Sequence, residues 1–304
     1  MRPLFLRAQW GLGDSIFVRP FVREAARLYD VYLETPWPEL FDDLPVKFVR
    51  LERRLRTQMK NVRRQPDTRW VLPPEGLAPV SIGYNGEDLK NASIVQTLER
   101  KYRSMGIAPE PPVWDLPDTG PKPVNLNHRP IAVVRPCTLR REWKNAARNP
   151  RPEYVDWIAK RLMVTHHVIA VADLQNKEEW IEGGVPAHHM AALRGEFDVR
   201  SLISLVRNAD VVVGGVGWIV PMSIAVGTKA FVILGGHGAH NHPDRITDPR
   251  MNLSGLTFAK PERFCPCSNM NHQCDKSIRN LPHQWEMFVR SHDLGYSRSA
   301  RYVG

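Results

Sequence analysis

The sequence predicts an α/β fold of two doubly wound parallel-sheet domains facing a central cleft. Three observations predict it. Short Val/Ile-rich runs alternate with helical stretches, the pattern of a parallel sheet covered on both faces. Two such alternating halves are separated by a proline-rich stretch. The 304 residues suit about two cores at the usual domain size.

Taken in order, Leu4-Phe-Leu-Arg-Ala8 is a first strand that ends at the turn Gly11-Leu-Gly-Asp14. From Ser15 to Leu28, Ile16, Phe17, Phe21, Val22, Ala25 and Leu28 recur at helical spacing. Asp30-Val-Tyr-Leu-Glu34 reads as the next strand, and Val46–Val49 and Trp70–Leu72 as two weaker ones. Seven prolines between Ala108 and Pro130 mark a linker. Beyond it, Ile131–Val134, Val168–Ala172, Asp210–Val213 and Ala230–Leu234 read as strands, the last closing the core. Helices are expected over Glu153–Leu162, Val199–Arg207, Pro221–Val226 and about Leu281–Arg290. The expected division is 1–120, 121–280, and a closing helix and tail over 281–304 that crosses back to the first domain.

Lys plus Arg number 42 against 32 Asp plus Glu, a formal net charge of +10. That balance favours anionic partners and excludes an acidic, disordered chain. Four cysteines, three of them clustered, do not form a disulfide framework, so a reducing, cytoplasmic setting is expected. The first ten residues do not read as a signal peptide, and no apolar run approaches a membrane span.

Several loops can carry chemistry. Gly11 and Gly13 allow close backbone approach at a strand's carboxyl end, and Asp14 either caps the following helix or accepts a proton from a hydroxyl. Val213-Gly-Gly-Val-Gly217 and Gly235-Gly-His-Gly238 each follow a strand. They are either tight turns or amide cradles for phosphate, with Gly214, Gly215 and Gly217 as the candidates. Neither glycine loop completes a dinucleotide fingerprint, which disfavours an oxidoreductase. Arg135, Arg141, Lys144 and Arg148 follow the strand at 131–134 and suit a diphosphate. A second basic patch, Arg53, Arg54, Arg56, Lys60, Arg63 and Arg64, is expected away from the first. It is either a solvated face or a contact for a polyanion. Cys265, Cys267, His272 and Cys274, spaced C-x-C-x4-H-x-C, are either free cysteines beside a histidine or ligands of a structural zinc.

Gly11-Leu-Gly-Asp14, the loosely matching Leu193–Leu202, and Asn208-Ala-Asp-Val-Val-Val-Gly214 with Ala225-Val-Gly-Thr228 resemble the heptosyltransferase-like family, glycosyltransferase family 9. The resemblance runs to about residue 280 and implies a GT-B fold of two Rossmann-like domains. The first would be the acceptor side and the second the nucleotide-sugar side. It implies an inverting transferase with no metal at the reaction centre, Asp14 as general base, and a cation after the second domain's first strand on the donor diphosphate. Where the family reads D-S-G-x-x-H, this chain has Val216-Gly-Trp-Ile-Val-Pro221. The resemblance implies lipopolysaccharide core as the acceptor, whereas the missing D-S-G-x-x-H and the basic content suit a hydroxylated base in DNA about equally, which would make this a DNA-modification enzyme. The rival reading is a non-catalytic nucleic-acid-binding protein on the same scaffold.

Overall fold

The computed structural model describes residues 1–51, 56–64, 67–107, 112–119 and 129–294. In the first half, β1 (Pro3–Arg7), β2 (Asp30–Glu34), β3 (Val46–Val49), β4 (Trp70–Val71) and β5 (Val80–Ser81) form a parallel sheet in the order β4-β3-β2-β1-β5. Helices α1 (Leu12–Leu28), α2 (Arg56–Arg63), α3 (Gly86–Asn91) and α4 (Ile94–Arg103) accompany it.

The second half holds β6 (Ile131–Val134), β7 (Thr138–Arg140), β8 (His167–Val171), β9 (Glu179–Ile181), β10 (Met190–Ala192), β11 (Val211–Gly214), β12 (Ala230–Ile233) and β13 (Leu256–Ala259). Six of these make a second parallel sheet, β10-β8-β6-β11-β12-β13, and β7 pairs with β9 as a short antiparallel ribbon. Its helices are α5 (Pro152–Thr165), α6 (Val199–Arg207), α7 (Ile219–Val226), α8 (Gly238–Asn241), α9 (Pro243–Ile246) and α10 (Leu281–His292).

The strand orders matter for function. In the first sheet the chain leaves β1 toward β2, β3 and β4, and β5 lies on the other side, so the order reverses between β1 and β5. In the second it reverses between β6 and β11. Open α/β sheets bind ligands at such switch points, beyond the carboxyl ends of the strands. Both Gly11–Asp14 and Arg135 follow a strand that flanks one.

Burial explains why the second half is the clearer one in sequence. Every residue of β6, β11 and β12 is buried, as the uniform Val/Ile/Ala runs require of strands covered on both faces. On one face Phe231 meets Trp285 and Phe288 of α10, with ring centroids 5.2 and 5.3 Å apart. The closing helix therefore packs on the second sheet, and through Leu294 it does not cross to the first. Nor is Ala230–Leu234 the last strand: β13 adds an edge beyond it.

The described part of the proline-rich segment, 112–119, is tied to both halves. Asp115 accepts from Arg19 and Arg23, and Arg207 donates to the carbonyls of Leu116 and Pro117. Residues 108–111 and 120–128 lie outside the described residues. Among the described residues, no helix is long and apolar enough to cross a membrane.

Candidate active site

Helix α1 packs on α7, so the starts of two helices from different halves meet. A Cβ on Gly13 would lie 3.0 Å from Trp218 Cα and 3.1 Å from its nitrogen, so only glycine fits without displacing backbone. Around this contact opens a cavity of about 910 Å³. It is lined by residues just past β1, β5, β6, β8, β11 and β12, and so by the carboxyl ends of strands from both sheets.

On the first wall, Gly11, Gly13 and Asp14 line the cavity. Gly11 is the N-cap of α1, with no side-chain cap bond among the described residues, so Asp14 does not cap the helix. Its carboxylate instead accepts a hydrogen bond from the Tyr84 hydroxyl, delivered from the loop after β5. Burial, and then the Asp14 charge, push the Tyr84 phenol well above its ordinary value, so it stays protonated and acts as a donor. Asp14 also sits in the first turn of α1, where the helix dipole favours negative charge.

On the second wall, Arg135 and Arg148 converge. A Cβ on Gly217 would meet Arg135 Nη1 at 3.1 Å and Arg148 Nη2 at 3.4 Å. Burial and the adjacent Arg135 cation pull Arg148 down to about 10, with Asp14 opposing. Arg148 Nε is sealed from solvent and has no hydrogen-bond partner among the described residues. Arg135 is also lowered by burial, Glu179 offsetting part of the effect. Two guanidiniums crowded together with a sealed, unsatisfied N–H make a site that an anion would complete.

The remaining candidates divide. Arg140, which belongs to the same run of cations after the strand at 131–134, lines the cavity, whereas Arg141 is exposed and pairs with Glu178 at 3.4 Å. Strand alternation explains the swap: Thr138 and Arg140 face the cavity, Leu139 is buried behind them, and Arg141 falls on the other side. Lys144 is exposed and outside the cavity lining. Gly214 and Gly215 sit behind the lining, where a Cβ would crowd Ile219 Cδ1 at 2.7 Å or Pro150 Cδ at 3.0 Å. Gly217 lines it.

Of the second basic patch, Lys60 and Arg64 line this same cavity, so the two patches share one cleft instead of lying apart. Lys60 reaches across to Asp173 and to the Arg194 carbonyl of the other half. Arg63 is exposed and outside the lining. Arg53 and Arg54 lie outside the described residues, and Arg56 opens α2. Four tryptophans, Trp10, Trp37, Trp143 and Trp218, also line the cavity, and Trp143 holds the Arg148 guanidinium 5.2 Å from its ring centroid.

Cys265, Cys267, His272 and Cys274 come together as well. Their ligand atoms all lie within 4.8 Å of one another, a Cys3His group that can hold a metal ion.

No protein-family model matches the chain, and no curated protein sequence does. Solved structures do. Heptosyltransferase II of E. coli, an ADP-heptose lipopolysaccharide heptosyltransferase, aligns at a TM-score of 0.58 and 15% identity over 96% of this chain and 100% of its own. A family 9 glycosyltransferase from Veillonella parvula aligns at 0.59 and 8% identity, over 96% and 97%. The fold is GT-B. The iron-containing dodecameric glycosyltransferase TibC of enterotoxigenic E. coli also aligns, at 0.56 and 12% identity, over 96% of this chain and 75% of its own. The two-sheet expectation and its resemblance to heptosyltransferases are thus borne out at the level of fold.

Proposed function

We propose that this chain is a glycosyltransferase that moves a sugar from a nucleotide-sugar donor to a hydroxyl of an anionic acceptor. One observation carries the reading: paired guanidiniums of Arg135 and Arg148, with an unsatisfied buried N–H, stand across a cleft from the Asp14–Tyr84 pair. The fold shared with heptosyltransferases supports the same assignment.

In this reading the donor diphosphate lies against Arg135, Arg148 and the Gly217 amide. Asp14 takes the proton of the acceptor hydroxyl while its oxygen bonds to the anomeric carbon. The bond from that carbon to the diphosphate oxygen breaks, and its electron pair leaves with the nucleoside diphosphate. The anomeric centre inverts, because nucleophile and leaving group lie on opposite walls. The two arginines stabilise the charge that grows on the leaving group, so no metal is needed at the reacting atoms. Tyr84 keeps the Asp14 carboxylate oriented and adds no charge.

Tryptophans on both walls favour a carbohydrate acceptor, since sugar rings present flat apolar faces to indoles. Lys60, Arg64 and Arg140 supply the charge for phosphate or carboxylate groups on it. A lipopolysaccharide-type core glycan is therefore the favoured acceptor, and a hydroxylated base in duplex DNA the second. A setting inside the cell, where nucleotide sugars are made, completes the reading.

The test is nucleotide release from ADP-, UDP-, GDP- and CMP-activated sugars, offered with either core oligosaccharide or hydroxymethylated duplex DNA. Release with the glycan is expected, falling by about 10²- to 10⁴-fold in Asp14→Asn. Release with DNA alone would move the acceptor assignment. No release with any pair would overturn the proposal.

A further inference from the structure

The geometry points to one Zn²⁺ bound by Cys265, Cys267, His272 and Cys274, fixing the cleft wall that carries Arg148 and His237. The site stands on its own. Its effect on anion binding rests on the reading of Arg148 as a diphosphate contact.

The donor set fits zinc. Cys265 Sγ lies 3.4 Å from His272 Nδ1, His272 Nδ1 lies 3.2 Å from Cys274 Sγ, and Cys274 Sγ lies 3.4 Å from Cys267 Sγ. Tetrahedral ligands about 2.3 Å from a zinc ion stand roughly 3.7 Å apart, so small adjustments close the shell. Three thiols and one imidazole are a recurrent structural zinc set.

The loop has little apolar packing to hold its shape beyond Phe264 at its start, which packs on the core and stacks on His242. None of residues 262–277 is buried, and between Phe264 and Ser277 there is neither helix nor strand. A segment with so small an apolar anchor is expected to open locally unless something cross-links it. Yet this one makes ordered contacts with two pieces of the cleft wall. The Gly238 and Ala239 amides donate to the carbonyls of Cys265 and Cys267, at 2.8 and 3.2 Å. The Ala147 amide donates to the Met270 carbonyl at 3.0 Å, and Lys276 Nζ to the Ala146 carbonyl at 2.7 Å. Cys274 Sγ presses on Gly236 so closely that a Cβ there would overlap the sulfur.

From the loop a short chain of bonds leads to the anion site. His237 Nε2 stands 3.0 Å from the Ser268 carbonyl and its Nδ1 3.2 Å from Asn145 Nδ2. Asn145 Oδ1 in turn accepts from the Arg148 amide at 3.1 Å. Loading the cluster therefore sets the backbone from which Arg148 reaches the cavity. Losing the ion, by chelation or by oxidation of the thiols, would release it.

Metal content is read by mass spectrometry, and affinity by calorimetry with inorganic pyrophosphate, a probe that needs no choice of nucleotide or sugar. One equivalent of zinc per chain is expected. It should be lost in the Cys267→Ser, Cys274→Ser double variant, retained in Cys137→Ala, and accompanied on loss by at least tenfold weaker pyrophosphate binding. Should the double variant fail to fold, chelation of the wild-type protein provides the same comparison. Protein that holds no metal and takes up neither added Zn²⁺ nor Fe²⁺ would overturn the site, and one equivalent of iron would overturn the choice of zinc. Equal affinity with and without the ion would overturn the coupling. Full zinc loading with no pyrophosphate binding would support the metal site and overturn the donor reading instead.

Discussion

Asp14, Tyr84 and Arg148 reach one point in the cleft from three separate stretches of chain. Only the acid and the arginine were visible in the sequence. Gly11-Leu-Gly-Asp14 stands out because glycines at the carboxyl end of a strand allow close backbone approach, although the sequence alone fits Asp14 as a helix cap as well as a base. Tyr84 does not stand out, because the strand before it is two exposed residues, Val80–Ser81, too short to leave a periodic trace. The hydrogen bond from Tyr84 holds the Asp14 carboxylate in one orientation in the cleft. Its loss in Tyr84→Phe should lower kcat/KM by about tenfold, while pyrophosphate affinity stays within about twofold. An unchanged kcat/KM with normal folding would remove Tyr84 from the proposed mechanism. Arg141 and Lys144 show the complementary limit. A run of cations announces an anion site, but which of them face it depends on a two-residue alternation along β7.

At the scale of elements, the buried strands were legible because burial on both faces demands continuous Val, Ile and Ala, as in Ile131–Val134 and Ala230–Ile233. Helix α6 was legible through its apolar face, Val199, Leu202, Ile203, Leu205 and Val206, and is capped by Asp198 accepting from the Ser201 amide. Strand order was not legible, since it depends on crossover paths that leave no local signal. It is strand order that makes the site, by placing a switch point of each sheet at the cleft. The seam between the switch points is the Gly13–Trp218 contact, where backbone meets backbone and cannot give way cheaply. Gly13→Ala is therefore expected to destabilise the chain by about 1–3 kcal/mol, read as a lower unfolding midpoint in denaturant. A midpoint equal to wild type would show that the seam is looser than the structure has it.

Across the whole molecule, the halves are held by polar as well as apolar contacts. Lys60 pairs with Asp173, Arg200 with Asp42, and Arg250 with Glu99 at 2.9 Å. These pairs are partly exposed, and each contributes little alone. Glu39 lies nearby, 1% exposed, with Asn61 Nδ2 3.2 Å from its carboxylate and the Asp198 charge of the other half close enough to act on it. Burial raises it from 4.5 to about 7, with Asp198 adding to the effect and Asn61 opposing it. A folded-state pKa above the unfolded value means that the native protein binds the extra proton between these limits. Stability from this group is thus greatest below pH 4.5 and declines as pH rises toward 7. Glu39→Gln should match wild type near pH 4.5 and exceed it at pH 8, by on the order of 3 kcal/mol. A stability difference that does not change between pH 4.5 and 8 would contradict this. The charge balance of +10 likewise makes sense only for the whole molecule, because Lys60 and Arg64 from one half and Arg135, Arg140 and Arg148 from the other line a single cleft.

The central claim is that this cleft binds a nucleotide sugar through its diphosphate at Arg135 and Arg148. The most direct measurement is calorimetric titration of wild type, Arg148→Ala and Asp14→Asn with ADP, UDP, GDP and CMP and with their sugar conjugates. One nucleotide sugar should bind wild type and Asp14→Asn alike, and bind Arg148→Ala about 10- to 100-fold more weakly. Binding that is unchanged in Arg148→Ala, or no nucleotide binding beside tight binding of duplex DNA, would contradict the account.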